Sequence, residues 1–249
     1  MNKTIKSFGE QWISFNKKLR TLNYEKEFSE WIKPLTINFF KNKKVLDAGC
    51  GTGIHAEYVS NFAKNVLAID ASESIICVKP KKNLRVKEAD LLDLNLNETF
   101  DIIYSIGVIH HTSNPKKAFL NLVDHLKDKG TIIIWVYGNE TDSSLIYFVS
   151  FIREFTSKNK SLLIFLTYVS SLTLFLLRNF NFFRKSINLP QIKNWNYIRT
   201  YIFCYDHLSP EIAHYFKKEE LKRWNLPIFK EFNIYSLRNN SYTIIAKRK

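Results

Sequence analysis

Glycine is scarce in this chain, with seven among 249 residues. Cysteine is scarcer still. Cys50, Cys77 and Cys204 stand far apart with no C-x-x-C pair, so a thiolate zinc site and a disulfide framework are both disfavoured, no metal site is expected, and a reducing cytoplasmic compartment fits. The opening MNKTIKSFGEQWISFNKKLR lacks the apolar core of a secretory signal. Internal repeats and disorder-prone composition are missing too, and the length suits one α/β domain, alone or with an insertion. Acidic residues are the remaining shortage: 23 Asp and Glu stand against 37 Lys and Arg, a formal charge of +14. Such a charge suits nucleic acid or an anionic membrane. The basic residues are scattered, however, with no dense arginine tract, and a merely solvated basic surface is an equal reading.

What glycine there is gathers in one place. Gly49, Gly51 and Gly53 fall within five positions of VLDAGCGTGIHAEYV, residues 45–59, and glycine is used where the backbone takes positive φ or lies close against something else. KKVLDAG (43–49) reads as a short buried strand running into this turn, and Thr52–Ala63 as the helix after it. NVLAID (65–70), LRVKEAD (84–90), FDIIYSI (100–106) and TIIIWVY (131–137) read as further strands, with a helix starting at Pro115 between the last two. Residues 1–43 read as polar helix, with Phe8, Trp12 and Phe15 on one face. Such alternation predicts a parallel, doubly wound sheet with right-handed crossovers. EFNIYSL and SYTIIAK around Arg238-Asn239-Asn240 predict a closing antiparallel hairpin.

A strand, a glycine turn and a helix N-terminus make a nucleotide-binding corner. The dinucleotide spacing G-x-G-x-x-G fails: the third glycine comes one residue early, and Ile54 takes its place. Asp47, just before the turn, would repel a pyrophosphate but suits a cationic amine. An NAD-type oxidoreductase is therefore the weaker alternative, and a non-catalytic binder is a third.

Val45-Leu46-Asp47-Ala48-Gly49-Cys50-Gly51-Thr52-Gly53 resembles the first motif of the class I S-adenosylmethionine-dependent methyltransferases, and the likeness extends over 43–138. It implies a mainly parallel, seven-stranded Rossmann-like sheet and S-adenosyl-L-methionine as cofactor. It also implies that Asp70, ending the second strand beside Ala71, holds the ribose hydroxyls. Asp90, in Ala89-Asp90-Leu91, would take the adenine amino group, and Ser105 and Gly107 would line the methionine end. Only thirteen residues, broken by Pro80, separate Asp70 from Leu84, so the family's second helix must be short here.

The family's base-amino methylating members show Asn/Asp-Pro-Pro-Tyr/Phe after the fourth strand, and cytosine C5 chemistry needs Pro-Cys. This chain has neither, so nucleic acid is disfavoured as acceptor. Gly107–Thr112 (GVIHHT), Trp135–Gly138 (WVYG) and Phe8–Trp12 (FGEQW) are similar to runs in the type 11, small-molecule branch. That implies methyl transfer to oxygen or carbon of a small or lipid-like acceptor. His110 and His111 follow the fourth strand, and one of them, His111 by preference, is a candidate general base, with pocket wall as the plainer reading. Trp12 and His207 are candidates for acceptor contact. His207 lies in Tyr205–Pro210, which is equally a hydrogen-bonded turn.

Residues 142–205 fall outside the alternation and are expected as a helical cap inserted between core segments 1–141 and 206–249. The stretch holds 15 of the chain's 37 aromatics, eight Lys or Arg and two acids. Its run LLIFLTYVSSLTLFLL (162–177) is twelve-sixteenths apolar and shorter than the roughly twenty residues a bilayer span needs. A soluble lid over the acceptor pocket is the preferred expectation. Peripheral contact with the inner membrane surface stands second, and a true span third.

Overall fold

The computed structural model describes residues 3–22, 24–140, 144–187, 189–237 and 240–249. Among them, seven strands form one sheet: β1 (Lys44–Ala48), β2 (Asn65–Asp70), β3 (Leu84–Glu88), β4 (Phe100–Ile106), β5 (Leu126–Tyr137), β6 (Phe229–Leu237) and β7 (Ser241–Arg248). Their order is β3-β2-β1-β4-β5-β7-β6. β1 lies parallel to both β2 and β4, and β7 runs antiparallel between β5 and β6. The order reverses between β1 and β4, which opens a crevice at their carboxyl ends.

Burial explains the sequence of each strand. VLDA in β1 and VLAI in β2 are buried without interruption, as strands covered on both faces must be. The edge strand β3 buries only Leu84 and exposes Arg85, Lys87 and Glu88, charges that discourage pairing with another chain. One face of the sheet carries Leu46, Ile103, Ile134, Phe119 and Trp224. The other carries Val45, Ile102, Tyr104, Ile133, Phe28 and Phe40.

Helices cover both faces: α1 (Lys3–Leu19), α2 (Tyr24–Trp31), α3 (Ile54–Val59) and α4 (Pro115–Asp124). Asn114 caps α4 by accepting the Lys117 amide at 3.0 Å, and Pro115 occupies the position where a missing N–H costs nothing. α3 is shorter than the expected 52–63. After Val59 the chain tightens into three-residue hydrogen-bonded turns so that Lys64 can reach Lys43 and start β2. β5 begins earlier than expected, at Leu126, because Lys127–Gly130 are polar and conceal the strand. Arg238 and Asn239 of the expected hairpin turn lie outside the described residues, while β6 and β7 pair as Leu237↔Ser241 onward.

Between β2 and β3 stands only the short 3-10 turn Glu73–Cys77, and α1 packs against it. A Cβ on Gly9 would come 3.1 Å from Ser72 Cβ, so glycine permits this approach. Arg20, at the end of α1, holds both carboxylate oxygens of Glu57 on α3 at 2.8 Å and donates to the Cys77 carbonyl at 2.8 Å. The Glu57 carboxyl is lowered by this pairing against the opposing effect of burial.

The chain divides into two units, Met1–Glu140 with Ile212–Lys249, and Thr141–Glu211. The second unit contains 142–205 and continues to Glu211. It consists of α5 (Ser144–Thr156), α6 (Lys160–Leu177), α7 (Asn181–Ser186) and α8 (Tyr197–Leu208), with α5 and α6 both against α8. Tyr205–Leu208 are the last turn of α8 rather than a free turn before Pro210.

Candidate functional site

β1 delivers the chain into a turn in which Gly49, Gly51 and Gly53 have φ of +90°, +53° and +77°. The three glycines serve different ends. A Cβ on Gly49 would strike the Val108 side chain at 2.4 Å, and one on Gly53 would strike Val78 at 2.6 Å. A Cβ on Gly51 would meet nothing within 4 Å: its bare backbone faces open space. The turn hangs from β2. The Gly49 and Cys50 amides donate to the Ile69 carbonyl at 2.8 and 2.9 Å, and the Gly51 amide donates to Asp70 Oδ2 at 2.8 Å. Asp70 Oδ1 accepts from the Ser72 amide and hydroxyl at 2.9 and 2.7 Å. An ionised carboxylate has about four lone-pair sites, so Asp70 keeps acceptor capacity beyond these three bonds.

Asp47 is 2% exposed, and its Oδ2 has no hydrogen-bond partner among the described residues. Burial, reinforced by the charge of Asp70, pushes its carboxyl up to about 7, although the nearby Tyr104 hydroxyl and the Ala56 amide oppose this. His55 Nε2 and Trp135 Nε1 are likewise buried and without a partner among the described residues, and the buried Tyr104 hydroxyl has no partner other than the neighbouring Asp47 carboxyl among them. These groups adjoin one another. Asp47 and Tyr104 are register partners across β1 and β4. Phe28 touches both Tyr104 and His55, and Trp31 touches both His55 and Trp135, with ring centroids 5.2 to 5.6 Å apart. Buried polar groups almost always find partners, so Asp47 Oδ2 and Trp135 Nε1 on one sheet face, with His55 Nε2 on the helix packed over it, suit a place that receives polar atoms from outside the chain. The donor set suits a cationic, hydroxyl-bearing ligand, whereas a pyrophosphate would meet two carboxylates. S-adenosylmethionine, with its ammonium and ribose, fits these residues.

The other sequence candidates line up along the same strand ends. The Ala89 amide donates to the Asp70 carbonyl at 3.0 Å, and Ala71 lies half-buried beside it. Asp90 is exposed and caps the turn after it, accepting the Leu92 amide at 2.9 Å. Leu91 is in the core, its carbonyl held by Asn121 Nδ2 at 2.8 Å. The Ser105 hydroxyl is buried and donates to the Ala48 carbonyl at 2.7 Å, so that side chain ties β4 to β1. Gly107 has φ +78°, with Trp135 3.6 Å from where its Cβ would be. Burial raises the Cys50 thiol well above its ordinary range, which makes it an inert wall.

His110 and His111 form a 3-10 turn beyond β4. His111 Nδ1 lies 2.8 Å from the Ile212 carbonyl. A carbonyl only accepts, so the neutral ring carries its proton on Nδ1 and its lone pair on Nε2. The His214 amide donates to the His110 carbonyl at 2.8 Å, and His214 Nε2 approaches the Thr112 carbonyl at 3.1 Å, so the returning chain clamps the turn. Phe8 stands 4.8 Å from the His111 ring, and Tyr137 stands 4.0 Å from the buried His110 ring and stacks on Tyr215. Trp12 is half-buried on α1. His207 belongs to the other unit, where its ring lies 4.1 Å from Phe203, Nδ1 approaches the Phe203 carbonyl at 3.0 Å, and burial lowers it to about 4.

Sequence reasoning passed over Trp135, Tyr137 and Tyr215 as site residues. The sequence signals for the first two are the WVYG run at 135–138 and the alternate positions of Trp135 and Tyr137 in β5, which place both side chains on one face.

Residues 46–134 match the family described as "Methyltransferase domain". Malonyl-[acyl-carrier protein] O-methyltransferase of Bacillus anthracis is 35% identical over 122 residues, covering 47% of this chain and 45% of that protein. Ubiquinone biosynthesis O-methyltransferase of Rickettsia canadensis is 33% identical over 103 residues, 39% of this chain and 44% of the relative. The chain thus spans less than half the length of these curated relatives. The crystal structure of the N-methyltransferase NodS from Bradyrhizobium japonicum, in complex with S-adenosyl-L-homocysteine, superposes with a TM-score of 0.57 over 99% of both chains at 13% identity. At that identity the likeness concerns the fold.

Proposed function

We propose that this chain, which carries a class I S-adenosylmethionine-dependent methyltransferase domain at residues 46–134, transfers a methyl group to a hydroxyl or carbon of a small, lipophilic acceptor reached near a membrane surface. The carrying observation is the pairing of Asp47, whose buried Oδ2 has no hydrogen-bond partner among the described residues, with the bare Gly51 backbone beside Asp70. When bound, S-adenosylmethionine supplies a methyl group already activated by a sulfonium charge.

The chain's own residues then have separable tasks. Asp47 receives the ligand's ammonium, which offsets the cost of burying its Oδ2 without a partner. Asp70 accepts ribose hydroxyls with the lone pairs left after fastening Gly51 and Ser72, and Asp90 stands at the next strand end for the adenine amino group. The aromatic walls, Trp31, Trp135 and Tyr137, exclude water and present a weakly polar surface to an acceptor. His111 Nε2 takes the proton of an acceptor hydroxyl as its oxygen attacks, and the Nδ1–H···O=C bond to Ile212 stabilises the imidazolium formed. The two similar O-methyltransferases support oxygen as the acceptor atom.

Calorimetry with S-adenosylhomocysteine and NAD, followed by incubation of a lipid and metabolite extract with labelled S-adenosylmethionine, tests the reading. Binding of S-adenosylhomocysteine alone, with label appearing in an organic-soluble product, is expected. Binding of NAD instead, or cofactor binding with no labelled product, would overturn it.

A further inference from the structure

Helices α5 and α6 are amphipathic in the reverse of the usual sense. Their outward faces carry most of the large apolar residues, and their inward faces bury Thr167 and Ser171 beside Leu163 on α6, and Arg153 and Thr156 on α5. On α6, Ile164, Phe165, Tyr168, Val169, Leu172 and Leu176 recur at the three- and four-residue spacing of one helix face, and all are exposed, Phe165 by 62% and Leu176 by 63%. On the opposite face Thr167 and Ser171 are completely buried, the latter sharing a hydrogen bond with the Tyr197 hydroxyl at 3.2 Å. α5 repeats the pattern. Phe148, Phe151 and Phe155 face solvent while Arg153 and Thr156 turn inward, donating to the His207 and Leu208 carbonyls at 3.0 and 2.6 Å. Phe182 on α7 is 85% exposed. A water-soluble lid hides such faces, and an exposed apolar patch of this extent marks an interaction surface.

The charges around the patch identify its partner. Lys158 precedes α6, Lys160 opens it, and Arg178, Arg184 and Lys185 follow it; residues 142–205 hold eight basic and two acidic side chains. A hydrophobic protein partner would satisfy the stripe but not this one-sided charge. An apolar helix face with lysine and arginine at both ends of the helix, here with Arg178 and Arg184 folded back on the Phe175, Arg178 and Asn179 carbonyls, is the pattern of an interfacial helix on an anionic leaflet. α6 is long and apolar enough to cross a membrane by length and composition. Its inward face, however, is committed to α8 through Ser171 and Tyr197, and a helix packed on one side against the polar-capped α8 lies along a bilayer rather than through it.

We infer that the outward faces of α5 and α6, with Phe182, form a monotopic docking surface that seats the chain in the plane of an anionic lipid bilayer. This deepens the proposed function by naming the surface at which the lipophilic acceptor is met. It stands on the second unit alone, and its test reads the two apart.

The full chain should sediment with vesicles of phosphatidylglycerol and phosphatidylcholine in equal parts, and far less with phosphatidylcholine alone. About 0.5 M salt should release most of it by screening, and alkaline carbonate the remainder. Phe165→Asp with Leu172→Asp should reduce partitioning about tenfold or more. Lys158→Glu with Lys185→Glu should erase the preference for anionic lipid. Both double variants should bind S-adenosylhomocysteine as the parent does, which shows that they fold and separates a failed docking surface from a failed cofactor site. Absence of vesicle binding, binding indifferent to the apolar variants, pelleting that survives carbonate, or a stable dimer formed through this face in place of lipid binding would each overturn the inference.

Discussion

Asp70 Oδ2 accepts the amide of Gly51 at 2.8 Å across nineteen residues of sequence. The carboxylate that ends β2 thus shapes the turn that ends β1. Its other oxygen is held by Ser72, which fixes the direction of the carboxylate. Asp70→Ala removes the turn's anchor and the ligand's acceptor together. Affinity for S-adenosylhomocysteine should fall by roughly 1.5–3 kcal/mol, the scale of hydrogen bonds to a charged group. Asp70→Asn, which keeps one acceptor oxygen, should lose less. Calorimetric titration checks both, and equal losses would mean that charge, not the bond to Gly51, governs the site.

The neighbouring glycines separate folding from binding. Gly49→Ala forces a Cβ into Val108 at 2.4 Å and should lower the melting temperature with or without ligand. Gly51→Ala meets no protein atom, so its cost to the fold is the left-handed backbone alone, about 1–2 kcal/mol. Its Cβ occupies the space the ligand needs, and ligand-induced stabilisation should disappear. Thermal melts with and without S-adenosylhomocysteine show the contrast.

Why were some of these features legible beforehand and others not? β1, β2 and β4 announced themselves because strands buried on both faces read as unbroken apolar runs. The glycine turn announced itself because three of only seven glycines fall within five positions. The early start of β5 was hidden by Lys127–Gly130, polar residues at the mouth of a strand. The end of the second unit at Glu211 was hidden because α8 continues through Tyr205–Leu208, which look like a turn ahead of Pro210. The bond between Asp70 and Gly51 and the stacking of Tyr137 on Tyr215 join distant segments, and no local spacing encodes them. Inversion of α5 and α6 was invisible for a different reason: periodicity shows that two faces differ, but only the fold shows which one points inward.

With Asp47 as the proposed partner of the ligand's ammonium, cofactor binding should depend on pH. In the free protein its carboxyl is held up to about 7 by burial, so below that value the native state keeps a proton that the unfolded chain releases at the ordinary carboxylate range. Stability of the ligand-free protein therefore declines as pH rises from about 4 to about 7. An ammonium ligand needs the carboxylate, so binding below pH 7 expels the proton. Affinity for S-adenosylhomocysteine should weaken by up to about tenfold per pH unit below 7, and Asp47→Asn should flatten this slope. Titrations between pH 5.5 and 7.5 decide it, and a parent protein whose affinity is independent of pH would place the ligand's amine elsewhere.

In the proposed mechanism His111 is the residue on which transfer, as distinct from binding, turns. Its Nδ1–H bond to the Ile212 carbonyl aims the Nε2 lone pair and ties it to the chain segment that returns from the second unit. A general base contributes about 10²–10⁴-fold to a rate, so His111→Ala should lower transfer of labelled methyl by that factor while leaving S-adenosylhomocysteine affinity nearly unchanged. His110→Ala should behave differently. That ring is completely buried and stands 4.0 Å from Tyr137, so its loss opens a cavity and should lower the melting temperature by several degrees, the effect of a lost core side chain. If His111→Ala transfers methyl at the parent's rate, the acceptor needs no base and His111 serves as wall. If it loses cofactor affinity in step with rate, the 3-10 turn beyond β4 supports the cofactor rather than the acceptor.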